Sequence, residues 1–175
     1  MIAVQHRAAP GGNAAGTGLR EGDKMQITDG KDYIPQVREL IREYTDALGR
    51  DLSFQHIGEE LQDPARKYTV PNGELLVAVE DGRLLGMVAY HRHSDVRCEM
   101  KRLYVCPEAR GRHLGNALVE AIVAHAQRAG YREMVLDTLV PMQAAISLYR
   151  RHGFAECAPY YHNPMADVIY MRRPL

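Results

Sequence analysis

Apolar residues recur along the chain with two different spacings, and the changes between them mark its elements. Val37, Leu40, Ile41, Tyr44 and Leu48 stand three and four apart, as on one face of a helix. Asp32 would cap that helix, Pro35 fits its first turn and Gly49 closes it. A short edge strand is expected before it, over residues 25–28, and a short helix after it, around residues 57–61. Residues 75–80 and 84–91 are apolar runs joined by Asp81-Gly82, a dipeptide suited to a two-residue hairpin turn. A third strand, residues 96–105, stops before Pro107, which cannot donate to a ladder.

The helical spacing then returns. Leu114, Leu118, Ala121 and Ile122 share a face of a helix over residues 114–129, with Arg128 in its last turn and Gly130 closing it. A buried strand is expected over residues 134–138. Pro141 would open another helix, with Met142, Ala145, Ile146 and Tyr149 on one face and Gly153 at its end. Residues 154–157 and 168–171 read as two final strands, joined by the loop Tyr160-Tyr161-His162-Asn163-Pro164. Helix, three strands, helix, strand, helix and two strands predict an α/β fold, a mixed sheet with helices packed on it.

Composition narrows the picture. The chain of 175 residues is long enough for one well-filled domain. Residues 1–24 are rich in Gly, Ala, Asn and Thr and carry no apolar period, so they are expected to form a disordered extension before a domain over residues 25–175. The 22 basic and 22 acidic residues balance, which disfavours nucleic acid or an anionic membrane as a partner and leaves any anion site local. No apolar run reaches the length of a membrane span, and the N-terminus has no signal-like apolar stretch. Cys98, Cys106 and Cys157 suit reduced thiols, so a cytoplasmic location is expected. His91 and His93 share a strand face without a Cys or acidic cluster at ligand spacing, so no metal is expected.

The candidate anion site is Arg110-Gly111-Arg112-His113-Leu114-Gly115-Asn116-Ala117, a turn between a strand and a helix. Small residues let backbone amides approach a phosphate there, the helix adds the positive end of its dipole, and two arginines stand beside it.

Three pieces of the chain resemble the GNAT N-acyltransferase superfamily, over about residues 25–175. Arg110 to Gly115 is similar to that family's pyrophosphate loop. The strand Leu103-Tyr104-Val105 with Pro107 precedes it. Leu148-Tyr149-Arg150-Arg151-His152-Gly153-Phe154 is similar to its Leu-Tyr-x-x-x-Gly-Phe signature. His113 departs from the pattern where the loop has its first Gly, and Met142 where many members have an Asn that contacts the cofactor. Met-Lys-Arg-Leu-Tyr-Val, Leu-Asp-Thr-Leu and Pro-Tyr-Tyr-x-Asn-Pro also look like a bacterial branch of the superfamily.

The resemblance implies a largely antiparallel GNAT-type sheet and an acetyl-CoA-dependent N-acetyltransferase acting on an amine of a small molecule or peptide, with a homodimer as an expected assembly. It implies that the amides of Arg110, Gly111, Arg112, His113, Leu114, Gly115, Asn116 and Ala117 bind the pyrophosphate, and that the backbone of Leu103 and Val105 runs beside the pantetheine arm. An amide near Tyr104 or Val105 is expected to face the developing oxyanion.

Glu99 is the first candidate base. It stands eleven positions before Arg110, the separation that the superfamily's histone acetyltransferases use, and a carboxylate on a central apolar strand would have a raised pKa. The alternative for Glu99 is an ion pair with Arg97, Lys101 or Arg102. Asp137 is the second candidate; capping the next helix or binding an Arg is its alternative. Tyr149 is the candidate acid toward the thiolate, against a purely packed tyrosine. Arg102 and Lys101 are candidates to meet a substrate carboxylate. Another reading of the whole is a non-catalytic acyl-CoA-binding regulator.

Overall fold

A computed structural model describes residues 25–175. The extension expected over residues 1–24 lies outside them. Seven strands, β1 (Gln26–Asp29), β2 (Gly73–Glu80), β3 (Arg83–Arg92), β4 (Arg97–Val105), β5 (Glu133–Leu139), β6 (Ala155–Glu156) and β7 (Val168–Pro174), form one sheet in the order β1-β2-β3-β4-β5-β7-β6. Every neighbouring pair is antiparallel except β4 and β5. The helices are α1 (Ile34–Leu48), α2 (Ile57–Gln62), α3 (Pro64–Tyr68), α4 (Leu114–Arg128) and α5 (Gln143–Arg151).

The sheet buries both faces. Val37, Leu40 and Ile41 of α1, with Tyr68 at the end of α3, pack on Leu75, Val77, Met87 and Ala89. Leu118, Ile122 and Ala126 of α4 pack on the opposite face, against Leu76, Val88, Met100 and Leu136. Tyr149 and Phe154 complete that second layer beside α4. Asp81 and Gly82 both take positive φ, 50° and 74°, which is the geometry of the hairpin read from the sequence.

Three local expectations are corrected. Asp32 caps nothing: Asp29 accepts from the Lys31 amide at the start of a 3-10 turn, and α1 begins after Tyr33 with no side-chain cap. Pro141 lies in the turn before α5, which starts at Gln143. β7 runs past Met171 to Pro174, because its ladder to β5 continues from Met171 through Arg172 and Arg173 to the Pro174–Glu133 pair.

Two irregularities position the site. In β4, Met87 of β3 faces Tyr104 while Ala89 faces Lys101, so Arg102 and Leu103 stand opposite Val88 alone. This is a β-bulge, and Arg102 takes φ 57° in it. The bulge inverts the alternation of the strand: Cys98 and Met100 face α4 before it, Leu103 and Val105 after it. The second irregularity is between β4 and β5. They pair over Arg97–Glu133, Cys98–Met134 and Glu99–Val135, and their pairing ends there although both strands continue.

Candidate active site

Where pairing between β4 and β5 ends, the strands open into a cleft. Lys101, Leu103, Asp137 and Tyr149 line it from the sheet and from α5. Tyr44, Leu48 and Leu52 form the lip on the α1 side, and Met142, Asn163 and Met165 the opposite lip.

Lys101 and Asp137 stand two residues beyond the last backbone pair on their strands, and an ion pair takes over from the ladder. Lys101 Nζ is 2.7 Å from Asp137 Oδ1 and 2.7 Å from Glu99 Oε1. The ammonium is buried, which lowers its pKa, but the carboxylates of Asp137 and Glu99 outweigh burial and raise it above the ordinary lysine value. Asp137 Oδ2 accepts from the Tyr161 hydroxyl at 2.8 Å and from Asn163 Nδ2 at 3.1 Å. Among the described residues, Asp137 therefore caps no helix and binds no arginine.

Glu99 is absent from the cleft lining and sits behind Lys101. It faces His91 across the β3–β4 ladder, and His91 Nε2 is 2.7 Å from its Oε2. The Tyr160 hydroxyl donates to Oε1 at 2.8 Å. Burial alone would raise the Glu99 carboxyl, but the His91 hydrogen bond and the Lys101 ammonium hold it well below the ordinary carboxylate range. The raised pKa expected from its place on a central strand is corrected: that position is lined with partners rather than with hydrocarbon. The acid beside His91 was hidden in the sequence, because the two residues meet only through strand pairing.

Arg102 does not offer its charge to a ligand. Its Nε and Nη2 donate to Glu60 of α2 at 2.5 and 2.9 Å, and its Nη1 to Gln55 at 3.2 Å. Both charged side chains are almost fully enclosed, 3% and 2% exposed. Tyr149 is buried with its ring edge-on to Phe154, centroids 6.0 Å apart, and burial pushes its phenol above the ordinary tyrosine value. The loop 160–164 is a clamp as much as a surface, since Tyr160, Tyr161 and Asn163 each hold one of the two carboxylates and His162 alone of its polar residues is exposed.

At the other end of the opening, the loop into α4 takes left-handed backbone at Gly111 (φ 78°) and His113 (φ 59°). His113 thus occupies a position that favours glycine, at a cost of about 1 kcal/mol. The Arg110 amide donates to Pro107, and those of Asn116 and Ala117 to the His113 carbonyl at 3.0 and 3.3 Å. The amides between them, Gly111 to Gly115, donate to no backbone carbonyl among the described residues, as at the open start of a helix. A Cβ on Gly115 would lie 3.4 Å from Leu148, so alanine fits there and larger side chains crowd α5. Arg112 is paired with Glu80, its Nη1 3.0 Å from Oε2, and Arg110 Nε donates to the Val105 carbonyl at 3.3 Å. Met142 is the first residue before α5, with its sulfur 3.8 Å from the Thr138 hydroxyl.

A parted sheet with a left-handed turn into a helix at one end and buried ionisable groups along its walls agrees with what the chain is similar to. The sequence pattern of the Acetyltransferase (GNAT) family matches residues 34–154. An uncharacterised N-acetyltransferase of Schizosaccharomyces pombe is 48% identical, over 79% of this chain and 86% of the relative. Another, of Dictyostelium discoideum, is 29% identical, over 86% of this chain and 99% of the relative. These eukaryotic relatives take the likeness beyond the bacterial branch expected from the sequence. The fold matches that of the PaiA N-acetyltransferase of Thermoplasma acidophilum in complex with coenzyme A, with a TM-score of 0.68, 18% identity and coverage of 87% of this chain and 99% of that one. With its mixed seven-stranded sheet and its matching sequence, the chain belongs to the GNAT acetyltransferase family and is an N-acetyltransferase enzyme.

Proposed function

We propose that the enzyme transfers acetyl from acetyl-CoA directly to an amine of a small molecule or peptide, in the cleft between β4 and β5. One observation carries the reading: Asp137 and Tyr149 line a single opening that begins where the two strands part. The residues fit the donor. The unengaged amides of Gly111 to Gly115 suit the pyrophosphate, and the stretch of β4 from Leu103 to Val105, held by β3 on one side and open on the side of β5, suits the pantetheine arm. Acetyl-CoA, when bound, supplies the acetyl group, whose carbonyl carbon forms a bond to the acceptor nitrogen as its bond to sulfur breaks.

Asp137 then takes the proton that the nitrogen loses, in preference to Glu99, because it reaches the cleft and Glu99 does not. The phenol of Tyr149 gives a proton to the departing sulfur. Burial raises its pKa, which holds it protonated but makes it a weaker acid than a free phenol, so the transfer comes as the sulfur takes on its full negative charge. The bulge turns the backbone between Arg102 and Val105, where an amide can face the developing negative charge on the acetyl oxygen. Three cysteines without a disulfide suit the cytoplasm.

Thermal melting tests the donor. Acetyl-CoA at about 100 times its dissociation constant should stabilise the folded state by roughly 2.7 kcal/mol, whereas ATP and NAD should give no shift. Equal shifts with all three would reduce the loop to a general anion site and overturn the reading.

A further inference from the structure

The acceptor half of the cleft is distinguished by how its charges are used. Three charged side chains line the cleft, Lys101, Arg102 and Asp137. Each is matched within the protein before any ligand enters. The Lys101 ammonium bridges Glu99 and Asp137, both at 2.7 Å. The guanidinium of Arg102 gives Nε and Nη2 to the two oxygens of Glu60 and Nη1 to Gln55. Asp137 has Lys101 on one oxygen, with Tyr161 and Asn163 on the other. Among the described residues, no cation lining the cleft is left over for a carboxylate or phosphate on the acceptor, and no anion for a second ammonium. The rest of the lining carries no charge and is mostly apolar, Tyr44, Leu48 and Leu52 on one side, Leu139, Met142 and Met165 on the other; its neutral polar groups Gln55, Thr138 and Asn163 are engaged with Arg102, Met142 and Asp137. Methionine adapts its shape to an aliphatic or aromatic guest.

We infer that this enzyme's acceptor is a primary amine whose remaining body is apolar and uncharged, an alkylamine or arylalkylamine, and that amines bearing a second charge are rejected. The inference rests on the acetyl-transfer reading above. Rejection follows from desolvation. A carboxylate or second ammonium drawn between those lips loses its water and finds no free counter-charge. The neutral form of the reacting amine enters for the same reason, and Asp137, already hydrogen-bonded, receives one proton as the new C–N bond forms. The two substrates reach the opening from opposite faces of the sheet. Lys101 and Arg102 point to the α1 side, where the acceptor lies, while Leu103 and Val105 point to the α4 side, which leads to the anion loop.

A matched set of acceptors tests this with the full chain and acetyl-CoA, by thiol release: hexylamine, 1,6-diaminohexane and 6-aminohexanoate, which share one chain and differ in the charge at its far end. The kcat/KM for hexylamine should exceed that for each of the others by at least about tenfold, a loss typical of an uncompensated polar group in an apolar site. Glu60→Gln removes the charge that neutralises Arg102 and keeps the side-chain shape. In that variant 6-aminohexanoate should gain on hexylamine by several-fold, while the diamine should not. A wild-type enzyme that uses either charged amine as well as hexylamine overturns the inference, and so does one that ignores hexylamine and 2-phenylethylamine while acetylating a charged amine or a peptide. Failure of the donor is distinct, because it removes the melting shift with acetyl-CoA as well as all turnover.

Discussion

Asp137→Asn should lower kcat for acetyl transfer by about 10²–10⁴-fold and leave the KM for acetyl-CoA nearly unchanged. The carboxylate lies in the cleft and touches no part of the loop into α4. Asparagine keeps its shape and can still accept from Tyr161 and Asn163, but it cannot take a proton. Its amide also presents a donor to Lys101 or to Tyr161, so some rearrangement of the pair is built into the variant. Glu99→Gln supplies the contrast. Glu99 meets the cleft only through Lys101, and its depressed pKa makes it a poor proton acceptor. Its loss should cost at most about tenfold, roughly 1.4 kcal/mol of barrier. Steady-state rates of both variants against amine and donor concentration check this. A large kcat loss in Glu99→Gln with little in Asp137→Asn would return the base to Glu99 and make Asp137 the holder of Lys101.

The largest loss of stability is expected from Glu60→Leu. It leaves the Arg102 guanidinium enclosed with Gln55 as its remaining partner among the described residues. Removing one side of a buried pair costs about 3–5 kcal/mol, or roughly 6–20 °C in Tm for a chain of this size. Glu60→Leu combined with Arg102→Met should recover most of that, because the second change removes the stranded charge; a double variant no more stable than the single one would show that the pair is not the cause.

Acid adds a second readout. Burial raises the Glu60 carboxyl, but Arg102 and Lys67 outweigh it and leave its pKa below the ordinary 4.5. A carboxyl with a depressed folded pKa stabilises the fold above its unfolded value, and that stabilisation is lost as pH falls toward the folded one. Melting of the wild type should therefore fall as pH drops below 4.5, with Glu99 contributing in the same direction. Glu60→Leu should show a shallower acid limb.

Much of this architecture is legible along the chain because its causes are local. Asp81-Gly82 sets its turn by backbone preference, and the face of α4 follows from spacing within one helix. What the sequence hides is long in range. Arg102 meets Glu60 across 42 positions, and nothing near either residue marks the other. The bulge at Arg102 looks like one more residue of a strand, yet it decides that Lys101 and Leu103 take opposite faces of the sheet, Leu103 toward α4. Glu99 and Asp137 were both recognisable as candidates. Which of them reaches the cleft depends on where β4 and β5 cease to pair, which is settled by contacts between strands far apart in the chain. Asp32 caps no helix because the 3-10 turn Gly30–Tyr33, capped by Asp29, takes it up and leaves Tyr33 at the uncapped start of α1.

The methionines on the cleft lips give the enzyme a particular vulnerability to oxidation. Met142 and Met165 are half-buried, within reach of small oxidants. Two of the three thiols are protected instead: Cys98 and Cys106 are buried, and burial pushes their pKa values up to about 12 and about 11, so little thiolate forms. Sulfoxide formation would set a polar, chiral group in the wall that receives an apolar amine. Dilute peroxide should therefore raise the KM for hexylamine more than that for acetyl-CoA. Methionine sulfoxide reductase should reverse the effect where dithiothreitol does not, and Met142→Leu with Met165→Leu should abolish it.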